Sequence, residues 1–437
     1  MSLLAISGFI MMIVLVFVLL RNLLTPNVVF VVLPTIAAIV CGYSLKEIGG
    51  FVGDGLVSVL NTATLLAFAI IFFTIMKEVG VFNVIVKFIM RFLNNSVFSV
   101  LVVSLIIAAI CSLDGNAYAT LLVTVPALMP IYDQMKISRK SLFLCVVIGV
   151  GATGVTPWGG SLLRAVAVTH VDPIALYYSL LPIQGVILVL GIICLYFVSK
   201  IETRNGAGIS DADFKTFKTT HIEQNLSLKQ ENAKKMLPFN FILLIAVLTI
   251  LILNIIPSYY LFMLAVAVAI PLNYPKTSDA QKKIKDYGAT VVPVMITFLS
   301  IGAFLGIMEG TGIFKDMVSS IVSMFPSSFG PYIYIVVAAF SVPIVIALGS
   351  DAFYFALLPL VAGVASQFQV SAESVTHALL ITEQIGLLLS PAIPATYLGL
   401  SLLGLNIGEH VKYSFKWAWG ISIGALIMAF VFGILHF

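Results

Sequence analysis

The chain has 437 residues, 60% of them apolar and only 10% charged, with a mean hydropathy of +1.12. A soluble protein carries about 25% charged residues, so a soluble enzyme is excluded and the bilayer is the solvent. The formal net charge of +4 reflects where the lysines lie along the chain rather than one basic face, and nucleic acid is not an expected partner.

In chain order, apolar runs predict spans near 3–21, 27–43 and 56–78, lengths that suit a hydrocarbon core of roughly 30 Å. The first run, Leu3 to Leu20, has no positive segment before it and is followed by Arg21. That order predicts a retained span with its N-terminus outside, not a cleaved signal peptide. Residues 97–133 are apolar but interrupted by SLDGNA, Ser112 to Ala117. They predict a helical hairpin that enters the membrane and returns to the same side, because irregular backbone at that depth must be buried in protein or line a cavity. Spans near 141–169 and 176–199 follow, the first broken by Thr156-Pro157-Trp158-Gly159-Gly160.

The hydrophilic stretch 200–236 predicts a cytoplasmic linker with no chemical role. Beyond it, spans near 237–256, 258–272 and 288–309 lead to a second interrupted stretch, 331–368, broken by LGSDA at Leu348 to Ala352. A span at 374–400, broken at Ser390-Pro391-Ala392-Ile393-Pro394, and one at 415–436 follow. The four cysteines, Cys41, Cys111, Cys145 and Cys194, sit singly in apolar segments and predict packing residues, not ligands or disulfides.

With the N-terminus outside and both hairpins re-entrant, 20 of the 23 basic residues fall on the cytoplasmic side. Lys46 and Lys315 fall outside, and Arg164 lies within a span. The positive-inside rule favours this orientation.

The halves resemble each other. IMKEVGVF at Ile75 to Phe82 matches IMEGTGIF at Ile307 to Phe314, an offset of 307 − 75 = 232. Asn116 pairs with Asp351, Ser138 with Ser371, Thr156-Pro157 with Ser390-Pro391, and Tyr178-Ser179 with Tyr413-Ser414, at offsets between 233 and 235. A near-constant offset predicts an internal duplication. The expected fold is an all-α polytopic membrane protein of two inverted repeats, 1–199 and 237–437, joined by the linker 200–236. Each repeat holds five spans and one re-entrant hairpin, and an odd number of crossings turns the second copy upside down.

Both hairpin tips then meet near the midplane. Asp114, Gly115 and Asn116, with Thr120 one turn on, form the first tip, and Gly349, Ser350 and Asp351 form the second. A helix N-terminus after such a turn suits an anionic carboxylate, although Asp and Asn also cap a buried helix start without any ligand. Proline and glycine at the two breaks free carbonyls and amides for a ligand or ion, or make a packing kink. Arg164, one turn past the first break, is placed to hold a carboxylate or to snorkel to the headgroups. Glu383, inside the span before the second break, is a candidate proton or cation site or a structural hydrogen-bond partner. Lys77 and Glu78 are expected to mark the cytoplasmic end of their span, and His170 and His377 to lie near interfaces with no role.

No nucleotide loop, GxSxG, HExxH or histidine cluster occurs, so the residues point to a carrier energised by an ion gradient, not to an enzyme or an ATP-driven pump. No cofactor is expected.

LDGNAYATLLVTVPALMPIY at Leu113 to Tyr132, TPWGGSLLRA at Thr156 to Ala165, GSDAFYFALLPL at Gly349 to Leu360 and LLSPAIPATYLGL at Leu388 to Leu400 carry a resemblance. With IGEHVKYSFKWA at Ile407 to Ala418, they resemble the citrate–metal:proton symporter family (CitMHS) of the ion transporter superfamily. The resemblance implies a multi-pass carrier of the bacterial plasma membrane. Its cargo would be citrate chelated to a divalent metal such as Mg²⁺ or Ca²⁺, moved with protons. It also implies an elevator, in which a domain bearing the hairpins and broken helices slides against a fixed, usually dimeric scaffold in the lipid.

The site would comprise Asp114, Gly115, Asn116, Thr120, Pro157, Trp158, Gly159, Gly160, Arg164, Ser350, Asp351, Ser390 and Pro391, with Asp114, Asp351 and Glu383 handling the coupling ion or proton. The metal would arrive with the substrate rather than in a site built by protein alone. Another organic acid (gluconate, lactate or a C4-dicarboxylate) and a cation:proton antiport of the same superfamily stay open as alternatives.

Overall fold

The computed structural model describes residues 1–21, 23–211, 214, 231–253, 255–323 and 330–435. Among them the chain is helical throughout, with no strand. Residues 212, 213 and 215–230 of the predicted linker 200–236 lie outside the described residues, while 200–204 and 231–236 continue the helices on either side.

The first half contains α1 (Leu3–Leu20), α2 (Pro26–Val40), α3 (Leu45–Glu78), α4 (Val81–Met90), α5 (Val97–Cys111), α6 (Ala117–Gln134), α7 (Arg139–Thr153), α8 (Gly160–Thr169) and α9 (Pro173–Arg204). The second contains α10 (Glu231–Ile252), α11 (Ser258–Asn273), α12 (Thr277–Gly310), α13 (Ile313–Val322), α14 (Ile333–Ala339), α15 (Ser341–Ala352), α16 (Leu358–Ser366), α17 (Ala372–Gly386), α18 (Pro394–Leu403) and α19 (Ile407–Val431). Three pairs of helices at matching places in the two halves have equal lengths: α3 and α12 are both 34 residues, α7 and α17 both 15, and α8 and α18 both 10.

Among the described residues six helical stretches are each long and apolar enough to cross a membrane, and the bent pair α17–α18, taken as one span, makes a seventh. Two of the six, Val97–Asp114 and Ser341–Ser366, lie in the stretches predicted as hairpins, so five of the ten predicted spans correspond to span-length helices and the other five are broken or shorter helices. The sequence also predicts α3 from 56 and α12 from 288, whereas these helices begin at Leu45 and Thr277. Their first turns are polar, and hydropathy marks only the apolar part of a helix. The start of α3 is set by a capping box, in which Ser44 Oγ accepts from Glu47 N–H and the Glu47 carboxylate accepts from Ser44 N–H. The short helices α4 and α13 were not foreseen. At 10 residues each they are too short to span, and their apolar residues are confined to one face.

Two packing centres organise the molecule. The long helices α3 and α12 cross at glycine: a Cβ on Gly55 would sit 2.0 Å from the Gly302 carbonyl oxygen and 2.8 Å from Gly306 Cα. Small residues let helix backbones approach where lipid supplies no hydrophobic drive. The second centre is α7 against α17. Ser141 to Ala152 and Ser374 to Gly386 are buried without interruption, the mark of helices enclosed by protein on every side. At Gly151 a Cβ would come within 2.9 Å of Ile385 Cα.

Around these helices the hairpins fold back on themselves. Helix α6 returns along α5, and α16 returns along α14. The second hairpin is less regular than the sequence suggests. Its first arm is divided at Phe340, and its return begins with a π-helical turn at Phe353–Leu357, a feature frequent at functional sites. Cys111, Cys145 and Cys194 are buried and unpaired, and Cys41 is partly exposed.

Candidate functional site

The first tip is a tight turn with polar ends. After α5 a 3₁₀ turn, Ser112–Asp114, leads into Gly115 at φ 72°, a left-handed conformation that glycine adopts without strain. A Cβ there would also meet Gly159 Cα at 2.9 Å, so the tip rests directly on the first break. Asp114 Oδ1 accepts from Asn116 N–H at 2.8 Å, and Asn116 Oδ1 in turn accepts from Tyr118 and Ala119 N–H. Both side chains therefore cap the start of α6. Asp114 Oδ2 makes no hydrogen bond among the described residues.

The second tip also turns at a glycine of positive φ, but with a different ψ. Gly349 has φ 73° and ψ 168°, which ends one helical run and starts another at Ser350. A Cβ on Gly349 would come within 2.8 Å of the Ala392 side chain in the second break.

At the first break α7 stops at Thr153 and α8 starts at Gly160. At the second, α17 passes through a 3₁₀ turn, Leu387–Leu389, and an extended segment before α18 begins, with a bend of 44°. Two carbonyls near the breaks are not left for a ligand. Gln184 of α9 donates to Val155 O at 2.6 Å, and the His410 imidazole of α19 bridges to Leu388 O at 3.1 Å. His410 is itself held by stacking on Phe143.

These parts enclose one cavity of about 400 Å³, within the size range of small-ligand sites. Of the predicted residues, Asp114, Gly115, Asn116, Trp158, Gly160, Arg164, Ser350 and Asp351 line it. Four helix starts face the space: α6, α8, α18 and the run beginning at Ser350. Their dipoles, and the N–H groups left uncapped by side chains, favour an anion. The remaining wall comes from the long helices, through Leu66 and Ile70 of α3 and Thr290, Val294 and Phe298 of α12.

Other predicted residues stand behind this wall. Thr120 is fully buried and its hydroxyl donates to Asn116 O. Pro157 and Gly159 shape the first break, a Cβ on Gly159 meeting Gly154 O at 2.7 Å. Ser390 donates to Ile346 O and accepts from Ala392 N–H, tying the second break to α15, and Pro391 is exposed beside it. Trp158 lines the cavity but its indole N–H is committed to Leu113 O at 2.8 Å, and its ring stacks on Phe73 of α3.

Arg164 does not snorkel. Its Nε donates to Asp351 Oδ1 at 2.8 Å, and its terminal nitrogens have no hydrogen-bond partner among the described residues. Glu383 is fully buried and lies behind the second tip, outside the cavity wall. Its Oε1 accepts from Ser350 Oγ and its Oε2 from Tyr354 OH, both at 2.8 Å. Lys77 does more than mark a helix end: its Nζ donates to Ala119 O at 3.4 Å and it interacts electrostatically with Asp114. His377, expected near an interface, is buried against Ser179 of α9. His170 is exposed and lies 3.7 Å from Glu309.

Sequence reading missed Ser112, Ser161 and Gln384, which also line the cavity. Ser112 and Ser161 border the tip and break that were recognised, and proximity alone would have found them. Gln384 is the neighbour of Glu383 and was passed over because it carries no charge. Among the described residues no group of three or more His, Cys, Asp or Glu is arranged to hold a metal ion.

The sequence profile of the citrate transporters, CitMHS, matches residues 3–382. The chain belongs to this family. It is 31% identical over 440 residues to the citrate transporter of Bacillus subtilis strain 168, covering 99% of this chain and all of that one. It is 27% identical over 423 residues to the Mg(2+)/citrate complex secondary transporter of the same organism, covering 95% of each. Among solved structures, MtrF of Neisseria gonorrhoeae, described as one of a class of antimetabolite efflux pumps, superposes with a TM-score of 0.61 at 13% identity, over 87% of this chain and 82% of that one. That likeness is one of fold alone. This member of the citrate transporter family is thus a multi-pass integral membrane transporter, not an enzyme.

Proposed function

We propose that this transporter carries citrate, as its complex with a divalent metal, across the bacterial plasma membrane together with protons or another cation. The observation that carries the reading is the cavity of about 400 Å³ into which four helix starts and the Arg164 guanidinium face. Such a site suits a carboxylate-rich anion. Asp114 and Asp351 border the same space, and two acids would repel a bare tricarboxylate. A metal ion cancels most of the cargo's charge and gives Asp114 Oδ2 a cation to face. The names of the two relatives in Bacillus subtilis support the same cargo.

Asp351 and Glu383 supply the coupling. Arg164 gives one cation to the pair, so the buried group is balanced only when one acid is protonated or a cation is present. Ser350 touches both the cavity and Glu383, which offers a short route for a proton.

The two halves act as inverted repeats, a reading supported by the equal lengths of three pairs of their helices and by a glycine of positive φ at each tip. Helices α3 and α12, locked through their glycines, belong to a scaffold that pairs with a second copy. The hairpins, α7, α8, α17 and α18 form the moving unit of an elevator. Lys77 and Phe73 near the end of α3 touch the first tip and break, contacts that sliding would have to exchange.

Uptake of labelled citrate into proteoliposomes, alone and with Mg²⁺, Ca²⁺ and other divalent metals, tests the reading. Metal-dependent uptake is the expected result. Citrate uptake indifferent to metal removes the complex as cargo, and preferential uptake of gluconate, lactate or a C4-dicarboxylate replaces citrate.

A further inference from the structure

Glu383 and Gln384 are adjacent on α17 but face different surroundings. Successive helical residues are turned by about 100°, so while Glu383 reaches back to Ser350 and Tyr354, Gln384 borders the cavity. Gln384 is only 4% exposed. Its Nε2 donates to the Val150 carbonyl at 3.4 Å, and Gly154 leaves the amide room, since a Cβ there would fall 2.5 Å from Nε2. The contact with Val150 O also fixes which way the amide points, because the reverse orientation would set two acceptors against each other. Oε1 is left buried with no hydrogen-bond partner among the described residues.

An enclosed acceptor without a donor is costly, and because Gln384 is part of the cavity wall a small turn of its side chain would offer Oε1 to a donor on the cargo. A fully ionised polycarboxylate has no donor on its carboxylates. A hydroxycarboxylate has its hydroxyl. We propose that Gln384 is a specificity residue whose Oε1 accepts the hydroxyl hydrogen of the transported hydroxycarboxylate and so separates citrate from analogues lacking that group. This inference rests on the citrate reading above and adds which atom of the cargo is read, and by what.

The test is competition against labelled citrate uptake in proteoliposomes at fixed magnesium, using unlabelled citrate and tricarballylate, which is citrate without its hydroxyl. The readout is the ratio of half-inhibiting concentrations, tricarballylate over citrate, in the unaltered protein and in Gln384→Met. Any difference in metal chelation between the two acids is common to both proteins and cancels when the ratios are compared. The unaltered ratio is expected to exceed that of Gln384→Met by about 10-fold or more, mainly through weaker citrate binding by the variant. Gln384→Glu keeps an acceptor oxygen and is expected to retain the discrimination while binding both anions more weakly.

Equal ratios in the unaltered protein and Gln384→Met overturn the assignment, as does loss of discrimination in Gln384→Glu. Should Gln384→Met fail to fold, an unaltered ratio within about twofold of unity overturns it by itself. If the unaltered protein takes up no citrate, the substrate reading falls and this inference with it. Citrate uptake with equal ratios sinks only the role of Gln384.

Discussion

Arg164 of α8 and Asp351 of the second hairpin tip meet at 2.8 Å, joining residues 187 positions apart in the chain. Each is a little over a quarter exposed, at 27% and 29%, so the pair borders the cavity without being flooded by bulk water. Charges held this way are retained against a desolvation cost, and removing one partner strands the other.

Accordingly, Arg164→Gln and Asp351→Asn are each expected to lower stability by about 1–3 kcal/mol. The double variant should lose less stability than the sum of the two single losses, because no uncompensated charge remains. Thermal unfolding in detergent gives these values. Citrate uptake should fall at least tenfold in all three proteins, and normal uptake by Arg164→Gln would show that the guanidinium has no part in binding.

Glu383 lies outside the cavity wall and hydrogen-bonds to it through Ser350, so its substitution should affect coupling more than binding. In Glu383→Gln we expect citrate counterflow to continue while accumulation driven by an imposed proton gradient is lost. The amide keeps acceptor capacity for Ser350 or Tyr354 but cannot exchange a proton at neutral pH. Gradient-driven accumulation that survives in this variant would move the coupling step elsewhere.

At Gly115 two constraints coincide, a φ of 72° and the approach to Gly159 Cα. Gly115→Ala should cost about 1–3 kcal/mol and abolish transport, measured by unfolding and by uptake. Gly288 in α12 is the control, since a Cβ there meets nothing within 4 Å. Replacing it with alanine should be neutral or stabilising by up to about 1 kcal/mol. Similar losses at both sites would mean that the tip geometry is not special.

Lys136 and Gln369 occupy matching turns, just before α7 and α17, with φ of 55° and 62°. Both are exposed. If the halves are inverted repeats, cysteines placed at these positions in a Cys41→Ser background will react with an impermeant thiol reagent from opposite sides of the membrane. Labelling of both from one side would remove the inverted repeat and the moving unit built on it.

Much of the candidate site was legible because glycine, proline and carboxylates are expensive inside apolar helices and stand out when they occur there. Asp114, Gly115, Asn116, Ser350 and Asp351 were found in this way, and so was Arg164. What could not be read is which of these polar groups face each other. The committed indole of Trp158, the withdrawal of Thr120 and Ser390 from the cavity, and the bond of Arg164 to Asp351 depend on segments far apart in the chain. Gln384 was missed for a related reason: an uncharged amide is ordinary in sequence and becomes informative only when its oxygen proves to lack a partner.

The amino-acid sequence by itself determined that this protein lives in lipid, that its chain is interrupted at four polar points, and that its halves echo each other. Those properties follow from local composition and spacing, because the bilayer penalises each exposed polar group where it stands. The tertiary structure alone decided that all four interruptions converge on one cavity and that Glu383 is sealed behind its wall. It also decided that α3 and α12 extend past their apolar segments and cross at glycines. Convergence is a matter of distance between remote segments, and packing sets that distance only once the helices have assembled.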